Sequence, residues 1–125
     1  MKMSDLKVMV VDDTAVSRGL ITQALDWMQV EGYRTCAGAV EALDSLRRKP
    51  AHLVISDYNM PEMDGLTFLK SIRSDVNLKG MGFILVTGRL DSVMVENGRK
   101  FGVNNILKKP FSREELKICL TKVVG

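Results

Sequence analysis

The stretch Val8-Met9-Val10-Val11-Asp12-Asp13 joins an apolar run to two adjacent carboxylates. An unbroken apolar run of this length is typical of a strand that is covered on both faces. The pattern recurs at three later strand-like runs, which are followed by Asp57, Thr87 and Lys109. If these runs are strands of one parallel sheet, all five polar side chains meet at its carboxyl edge, where open α/β folds place their binding crevice.

Segments with helical spacing of apolar residues alternate with the strand-like runs. The expected strands are residues 7–11, 33–36, 53–56, 83–86 and 105–108. Five βα units with connections this short predict an α/β fold, with a doubly wound parallel five-stranded sheet and helices on both faces. The positions that predict the helices are Val16, Leu20, Ile21, Ala24, Leu25 and Met28; Val40, Ala42, Leu43 and Leu46; Leu66, Leu69 and Ile72; and Leu116, Cys119, Leu120 and Val123.

Local signals mark where several helices begin and end. Asp13 or Thr14 is suited to cap the first helix, and Pro50 closes the second. Residues 112–115 form a capping box before the last helix. The segment from Asp91 to Phe101 is the weakest helix prediction because Gly98 interrupts it, so we expect it to be the most mobile element.

Length and composition favour one globular domain over residues 1–125. Hydrophobic residues make up 46% of the chain and charged residues 26%, which argues against disorder. The sequence has no signal-peptide pattern and no run of membrane-spanning length, so we expect a cytoplasmic protein. Cys36 and Cys119 are far apart and lack metal-ligand spacing, which predicts free buried thiols. Trp27, near the end of the first helix, is expected to serve packing.

The net charge of +3 is unevenly distributed. Residues 87–125 hold eight basic and four acidic residues, which gives +4, and the remaining residues sum to −1. Such a distribution fits either an ordinary solvated surface or a basic face for an acidic partner. The candidate basic face, on the fourth helix, fifth strand and fifth helix, consists of Arg99, Lys100, Lys108, Lys117 and Lys122.

The predicted edge cluster favours a hard divalent cation and a phosphoryl group. Asp12, Asp13 and Asp57 would repel one another unless a cation lay between them. Two or three carboxylates and a backbone carbonyl near Asn59 suit Mg²⁺ that retains several waters. A carboxylate is a weak nucleophile toward a phosphorylated donor, and the charges of a metal and of Lys109 would compensate for this.

These residues together resemble the receiver domains of bacterial two-component response regulators, and most closely the single-domain CheY-type chemotaxis regulators. The resemblance covers essentially the whole chain. The matching segments are Val10-Val11-Asp12-Asp13, Asp57 with Asn59-Met60-Pro61 and Asp64-Gly65, Thr87-Gly88, and Lys109-Pro110-Phe111. The resemblance implies the flavodoxin-like strand order 2-1-3-4-5 and a cis peptide bond between Lys109 and Pro110.

The same resemblance implies a role for each site residue. Asp57 would accept the phosphoryl group, and Asp12, Asp13, Asp57 and the carbonyl of Asn59 would hold Mg²⁺. Thr87 and Lys109 would contact the phosphoryl oxygens. The chain would then act as a phosphorylation-dependent switch that catalyses only its own phosphorylation and dephosphorylation.

Ile106 departs from the family pattern. This position on the fifth strand is usually Tyr, Phe or His, whose ring turns inward when the threonine moves toward the phosphoryl group. Because isoleucine has no ring to bury, we expect the signal to pass mainly through Thr87, residues 88–91 and the fourth helix.

The implied partners are a histidine kinase and an output protein such as a flagellar motor switch protein. Membrane association and direct nucleic-acid binding are not expected, and the protein should be monomeric. A phosphate sink, a phosphorelay receiver and the receiver fragment of a longer transcriptional regulator are alternatives.

Two other classes of protein share the fold or part of the set of site residues. A flavodoxin-like cofactor binder needs a hydroxyl- and glycine-rich phosphate cradle after the first strand, where this chain has Asp12 and Asp13. A haloacid dehalogenase-type phosphatase needs an Asp-x-Asp nucleophile motif after that strand and usually a cap domain. The adjacent aspartates and the short chain favour neither class.

Overall fold

The computed structural model describes residues 2–124. A short 3₁₀ turn, Met3–Asp5, precedes five alternating strands and helices. The strands are β1 (Lys7–Val11), β2 (Gly32–Cys36), β3 (Leu53–Asp57), β4 (Gly82–Thr87) and β5 (Asn105–Lys108). The helices are α1 (Ala15–Trp27), α2 (Ala39–Arg48), α3 (Gly65–Ser74), α4 (Ser92–Lys100) and α5 (Arg113–Val124). All strand pairs are parallel and the sheet order is β2-β1-β3-β4-β5, which confirms the predicted fold.

Alternate residues of the central strands enter two separate cores. Met9 and Val11 face the core formed with α2, α3 and α4, whereas Val8 and Val10 face the core formed with α1 and α5. Because both faces are covered, every residue of β3 and β4 is buried. This two-sided burial explains why the strands appear in the sequence as continuous apolar runs.

Side-chain caps set the beginnings of four helices. Thr14 accepts a hydrogen bond from the Ser17 N–H at the start of α1, so it is Thr14 rather than Asp13 that caps this helix. The predicted capping box is present at α5, where Ser112 and Glu115 exchange side-chain and backbone hydrogen bonds. Asp64 caps α3 and Asp91 caps α4 in the same manner.

Helix α4 runs without a break through Gly98, at which the sequence predicted an interruption. Gly98 is buried, and a Cβ atom there would lie 3.1 Å from Cδ1 of Ile106. The glycine therefore allows α4 to pack closely against β5, and this close packing offsets its weak helix propensity.

Part of the predicted apolar face of α1 is exposed. The side chains of Val16 and Leu20 are 78% and 60% exposed, whereas Ala24 on the same row is buried. A step of four residues turns a helix by about 400°, which is about 40° more than a full turn. From Ala24 back to Leu20 and Val16, each step therefore rotates the side chain by about 40° further away from the sheet. Val40 in α2 is also exposed, and the buried positions there are Ala39, Ala42, Leu43 and Leu46.

The packing role predicted for Trp27 is confirmed only in part, because its side chain remains 40% exposed. The guanidinium of Arg113 lies 4.3 Å from the ring centroid, and the ammonium of Lys117 lies 5.4 Å from it. Trp27 therefore joins α1 to α5 through cation–π contacts.

Cys36 and Cys119 are free and buried, as predicted. The Lys109–Pro110 peptide bond is cis, which confirms the expectation from the resemblance. Within residues 2–124, no helix has the length and apolar character needed to span a bilayer.

Candidate functional site

Neighbouring strands bring the three predicted carboxylates together. The β1–β3 register pairs Val11 with Ser56, so Asp12 and Asp57 follow at the same edge of the sheet. One oxygen from each of Asp12, Asp13 and Asp57 lies within 4.8 Å of the others. The predicted acidic cluster is therefore formed, and it can hold a metal ion.

The three carboxylates differ in their surroundings. Asp12 is fully buried and Asp57 is only 8% exposed, whereas Asp13 is exposed. Oδ1 of Asp12 accepts hydrogen bonds from the N–H of Thr14 at 3.0 Å and from its hydroxyl at 3.2 Å. Arg18 donates to the backbone carbonyl of Asp12 at 2.7 Å. The first turn of α1 therefore fixes Asp12, while Asp13 remains exposed to solvent.

Lys109 reaches across the sheet edge from the loop after β5. Its Nζ lies 3.2 Å from Oδ1 of Asp57 and 3.3 Å from Oδ2 of Asp12. It also donates to the hydroxyl of Ser17 at 2.9 Å. The Lys109 N–H donates to the Thr87 carbonyl at 2.7 Å, which anchors the backbone from which the side chain extends. Lys109 thus joins the acidic cluster, as the sequence predicted.

The Asp57 carboxyl binds its proton more tightly than an exposed aspartate does. Burial is the main reason that its pKa is raised above the usual range, and the Asp12 carboxylate adds to the effect. The Lys109 ammonium acts in the opposite direction. A neutral carboxyl binds neither a cation nor an electrophile well, so additional positive charge at this position would favour the reactive, ionised form.

The donor set fits a magnesium ion. Three carboxylates and one ammonium leave a formal charge of −2 at the cluster, which a dication balances. All the candidate ligands are oxygens, as Mg²⁺ prefers, and the exposure of Asp13 leaves that side open to water. Asn59 lies two residues beyond Asp57 in an exposed part of the loop, and its carbonyl as a fourth ligand stays a prediction.

Thr87 is the last residue of β4 and is 2% exposed. Its hydroxyl donates to the Arg89 carbonyl at 3.0 Å and accepts from the Arg89 N–H at 3.2 Å. The strand places Thr87 at the predicted edge, but its hydroxyl proton is directed to its own loop. A role in contacting a phosphoryl group therefore requires this local bond to break.

Sequence reasoning missed three residues that organise the site. They are Ser17, Arg18, and Thr14 in its role as a hydrogen-bond partner of Asp12. All three lie at the start of α1, directly after the acidic pair. In a parallel sheet, the helices that begin at the carboxyl edge of the strands have their first turns beside the binding crevice. The position of these residues directly after the acidic pair was therefore the signal that could have identified them. What the sequence did not reveal is which side chains of the first turn point inward.

One cleft borders the site, and a second groove lies on the α4–β5 face. A cleft of about 490 Å³ lies between α1 and the start of α5, and Ser17, Leu20, Lys109 and Phe111 form part of its wall. A groove of about 330 Å³ lies between α4 and β5 and is lined by Leu90, Val95, Arg99, Val103, Asn104, Asn105 and Ile106. The lining of this α4–β5 groove combines four apolar side chains and two amides with one guanidinium.

The candidate basic face is not one continuous patch. Lys117 lies over the ring of Trp27 and so belongs to the side of α5 that faces α1. Lys122 is five residues further along α5, a rotation of about 140° from Lys117 at 100° per residue. Arg99, Lys100, Lys108 and Lys122 are exposed and remain candidates for a shared surface.

The model of the response regulator receiver domain matches residues 8–121, and the chain belongs to this family. It is 37% identical over 120 residues to a "Probable chemotaxis protein CheY" of Rhizobium etli, covering 96% of this chain and 93% of that protein. It is 36% identical over 121 residues to "Chemotaxis protein CheY1" of Helicobacter pylori, covering 96% of this chain and 98% of that protein.

Solved structures agree with this assignment. The structure of chemotaxis protein CheY4 of Vibrio cholerae superimposes with a TM-score of 0.88 at 29% identity, covering 95% of this chain and 98% of that one. The chain is thus a response regulator receiver domain homologous to chemotaxis CheY proteins. The flavodoxin-like cofactor binder and the haloacid dehalogenase-type phosphatase gain no support.

Proposed function

We propose that this protein accepts a phosphoryl group on Asp57 from the phosphohistidine of a histidine kinase and signals through phosphorylation-dependent binding to a partner. The observation that carries the proposal is the placement of Lys109, whose ammonium lies 3.2 Å from Asp57 and 3.3 Å from Asp12. An acidic cluster alone is common on protein surfaces. A lysine that bridges two largely buried carboxylates at the carboxyl edge of a parallel sheet favours phosphoryl chemistry.

The transfer requires Asp57 to be ionised and accessible at one oxygen. An Asp57 carboxylate oxygen forms the bond to phosphorus as the P–N bond of the donor histidine breaks, with its electron pair left on the imidazole nitrogen. Lys109 supplies positive charge on the phosphoryl oxygens, where negative charge accumulates during transfer. In the subsequent hydrolysis, water attacks phosphorus and the Asp57 carboxylate leaves, which yields inorganic phosphate.

We assign as the metal ligands the carboxylates of Asp12, Asp13 and Asp57 and the backbone carbonyl of Asn59. Mg²⁺, when bound, neutralises the oxygens of the transferring group and helps to hold it in line with the attacking carboxylate. Thr14 and Arg18 hold Asp12 in place from its carboxyl and carbonyl sides. Asp13 would supply the solvent-exposed ligand.

For the output we propose partner binding at the α4–β5 groove in chemotaxis, with a flagellar motor switch protein as the expected partner in the cytoplasm. The groove places the side chains of Leu90, Val95 and Ile106 beside the guanidinium of Arg99. This combination suits a short apolar segment that carries acidic residues. The chemotaxis assignment rests on the homology to CheY proteins.

One observation favours a second candidate function. Because Ile106 has no ring that can turn inward, the response of β5 to phosphorylation is expected to be small. A receiver of this kind can serve as a phosphate sink or as a relay, since both roles need phosphoryl transfer and turnover without a large change at the output surface.

Intact-protein mass spectrometry after incubation with phosphoramidate and Mg²⁺ tests the proposed function. We expect the wild-type protein to gain one phosphoryl group that is labile to hydroxylamine, as an acyl phosphate is. Asp57→Asn should gain none. The matched control is Asp44→Asn, which removes an exposed carboxylate from α2 and should react like the wild type.

A labile phosphoryl group that Asp57→Asn acquires at the wild-type rate would show that the acceptor lies elsewhere. Omission of Mg²⁺ in the presence of EDTA should slow the wild-type reaction strongly. An unchanged rate under EDTA contradicts the metal assignment while leaving Asp57 as the acceptor.

A further inference from the structure

We infer that Ser17 is a positioning residue for phosphoryl transfer, because its hydroxyl holds the ammonium of Lys109 in place while the carboxylates change partners. The inference rests on the proposed function of Asp57 and Lys109. It starts from the contact between Lys109 Nζ and Ser17 Oγ at 2.9 Å, the shortest of the three polar contacts of this ammonium.

The geometry of the ammonium gives the first argument. A lysine Nζ has three hydrogen-bond donors, and here three acceptors surround it: Asp12, Asp57 and Ser17. Three acceptors on separate elements fix the position of Nζ more tightly than one ion pair does. Without Ser17, two contacts of 3.2 and 3.3 Å would remain, and the four-carbon chain of Lys109 could swing between them.

The charges of the three acceptors give the second argument. Asp12 and Asp57 are both proposed metal ligands, and Asp57 also bonds to phosphorus, so their hold on Lys109 must change during the reaction. Ser17 is neutral and takes no part in either event. It is therefore the acceptor that can keep Nζ at the site before, during and after transfer.

The position of Ser17 is itself well fixed. It lies in the first turn of α1, and its N–H donates to the side-chain oxygen of the capping residue Thr14 at 3.3 Å. The Thr14 hydroxyl in turn donates to Asp12 at 3.2 Å. The helix start thus connects Asp12 and Lys109 through two neighbouring hydroxyls, and small errors in placing a reacting group are costly to the rate.

The test compares Ser17→Ala with Ser17→Thr and with the matched control Thr22→Ala. Thr22 is equally half-buried on α1, but its hydroxyl bonds to the Gly19 carbonyl within the helix. Phosphorylation of Asp57 by phosphoramidate at saturating Mg²⁺ is followed by mass. We expect Ser17→Ala to react at least about tenfold more slowly, as loss of one hydrogen bond to a charged group implies. Ser17→Thr should restore the rate to within about twofold, and Thr22→Ala should match the wild type.

A second comparison separates positioning from a general structural effect. The comparison repeats Ser17→Ala in a Lys109→Arg background. The arginine head group is longer and branched and does not fit the three acceptors that surround the lysine ammonium. In this background Ser17→Ala should change the rate by less than about twofold. Calorimetric titration with beryllofluoride and Mg²⁺, in which BeF₃⁻ on Asp57 stands for the phosphoryl group, should show weaker binding for Ser17→Ala and not for Thr22→Ala.

The possible failures are distinct. If the wild type takes up no phosphoryl group on Asp57, the proposed function and this inference both fall. If the wild type reacts and Ser17→Ala reacts equally fast, only the inference about Ser17 is overturned. An equal slowing in the wild-type and Lys109→Arg backgrounds also overturns it, because Ser17 would then act without Lys109.

Discussion

Thr87 and Arg89 exchange two hydrogen bonds: the Thr87 hydroxyl donates to the Arg89 carbonyl at 3.0 Å and accepts from the Arg89 N–H at 3.2 Å. This closed pair fixes the start of the loop between β4 and α4. A phosphoryl group on Asp57 offers the same hydroxyl a charged acceptor, which forms a stronger hydrogen bond than a carbonyl does. Opening of the Thr87–Arg89 pair is therefore a physical route from phosphorylation to the start of α4.

Hydrogen exchange is the measurement that examines this route. With beryllofluoride and Mg²⁺, exchange should change most in residues 87–102 of the wild type. Thr87→Ala should remove most of that change, because a charge-assisted hydrogen bond of about 1.5–3 kcal/mol is enough to shift a two-state population by tenfold or more. Ile106→Ala should reduce it less. A maximal change at α2, with residues 87–102 unaffected, would rule out this route.

Removal of an acidic ligand should weaken Mg²⁺ binding. We expect Asp13→Asn to lower the affinity by at least about tenfold, since loss of even an indirect partner of a metal costs this much. Tyr58 fluorescence is a suitable readout because Tyr58 adjoins Asp57. Glu31→Gln, at an exposed position outside the cluster, is the control. Equal affinities of the two variants would contradict a metal site at the sheet edge.

Charge-reversal variants should show which side of α5 belongs to the partner-binding surface. The double variant Arg99→Glu and Lys122→Glu should weaken binding of the phosphorylation-dependent partner by about tenfold or more at low salt, mainly through a slower association rate. Phosphorylation of Asp57 should be unaffected. Lys117→Glu, whose position faces Trp27, is the control and should leave partner affinity unchanged. If only Lys117→Glu impairs binding, the output surface lies on the α1 side.

Arg73 should be one of the costliest polar residues to remove. Its guanidinium donates to the carbonyls of Gly102, Lys79 and Met81 and to the side chain of Asn104, and so ties α3 to the loops before β4 and β5. Arg73→Ala removes the donor from the three carbonyls, while the Asn104 side chain keeps its hydrogen bond from the Phe83 N–H. The loss should lower the free energy of unfolding by about 2–3 kcal/mol in urea titrations.

Arg47→Ala provides the comparison for Arg73→Ala. Arg47 pairs with Asp75 at 3.2 Å on the surface, where solvent screens the interaction, so its removal should cost clearly less. Similar losses for both variants would show that the Arg73 contacts add little to stability.

The two thiols should react slowly in the folded protein. Burial is the main cause that raises the pKa of both Cys36 and Cys119, so less of each is present as the reactive thiolate at pH 8. Modification with a chromogenic disulfide should be at least about tenfold faster in urea than in buffer, with two thiols titrated. Rapid reaction of either thiol in buffer would show that its segment opens readily.

The strands and most helix boundaries were predictable because their signals are local. Residues 7–11 and 105–108 were assigned as strands from their apolar runs, and the structure has β1 and β5 over the same residues. The capping box at Ser112 is likewise a pattern within four residues. The rule that parallel strands end at the same edge was enough to predict that four of the five edge residues meet. The structure brings these four, Asp12, Asp13, Asp57 and Lys109, into one cluster.

The sequence alone thus determined the fold class, the sheet edge and the residue types gathered there, because each depends on short-range pattern and on topology. Only the tertiary structure decided which atoms meet. Ser17 as a partner of Lys109 depends on a contact 92 residues apart in sequence, and the placement of Lys117 over Trp27 depends on how α5 packs on α1. The direction of the Thr87 hydroxyl depends on a competition between acceptors in three dimensions. Such choices follow from the packing of distant elements, which no local pattern contains.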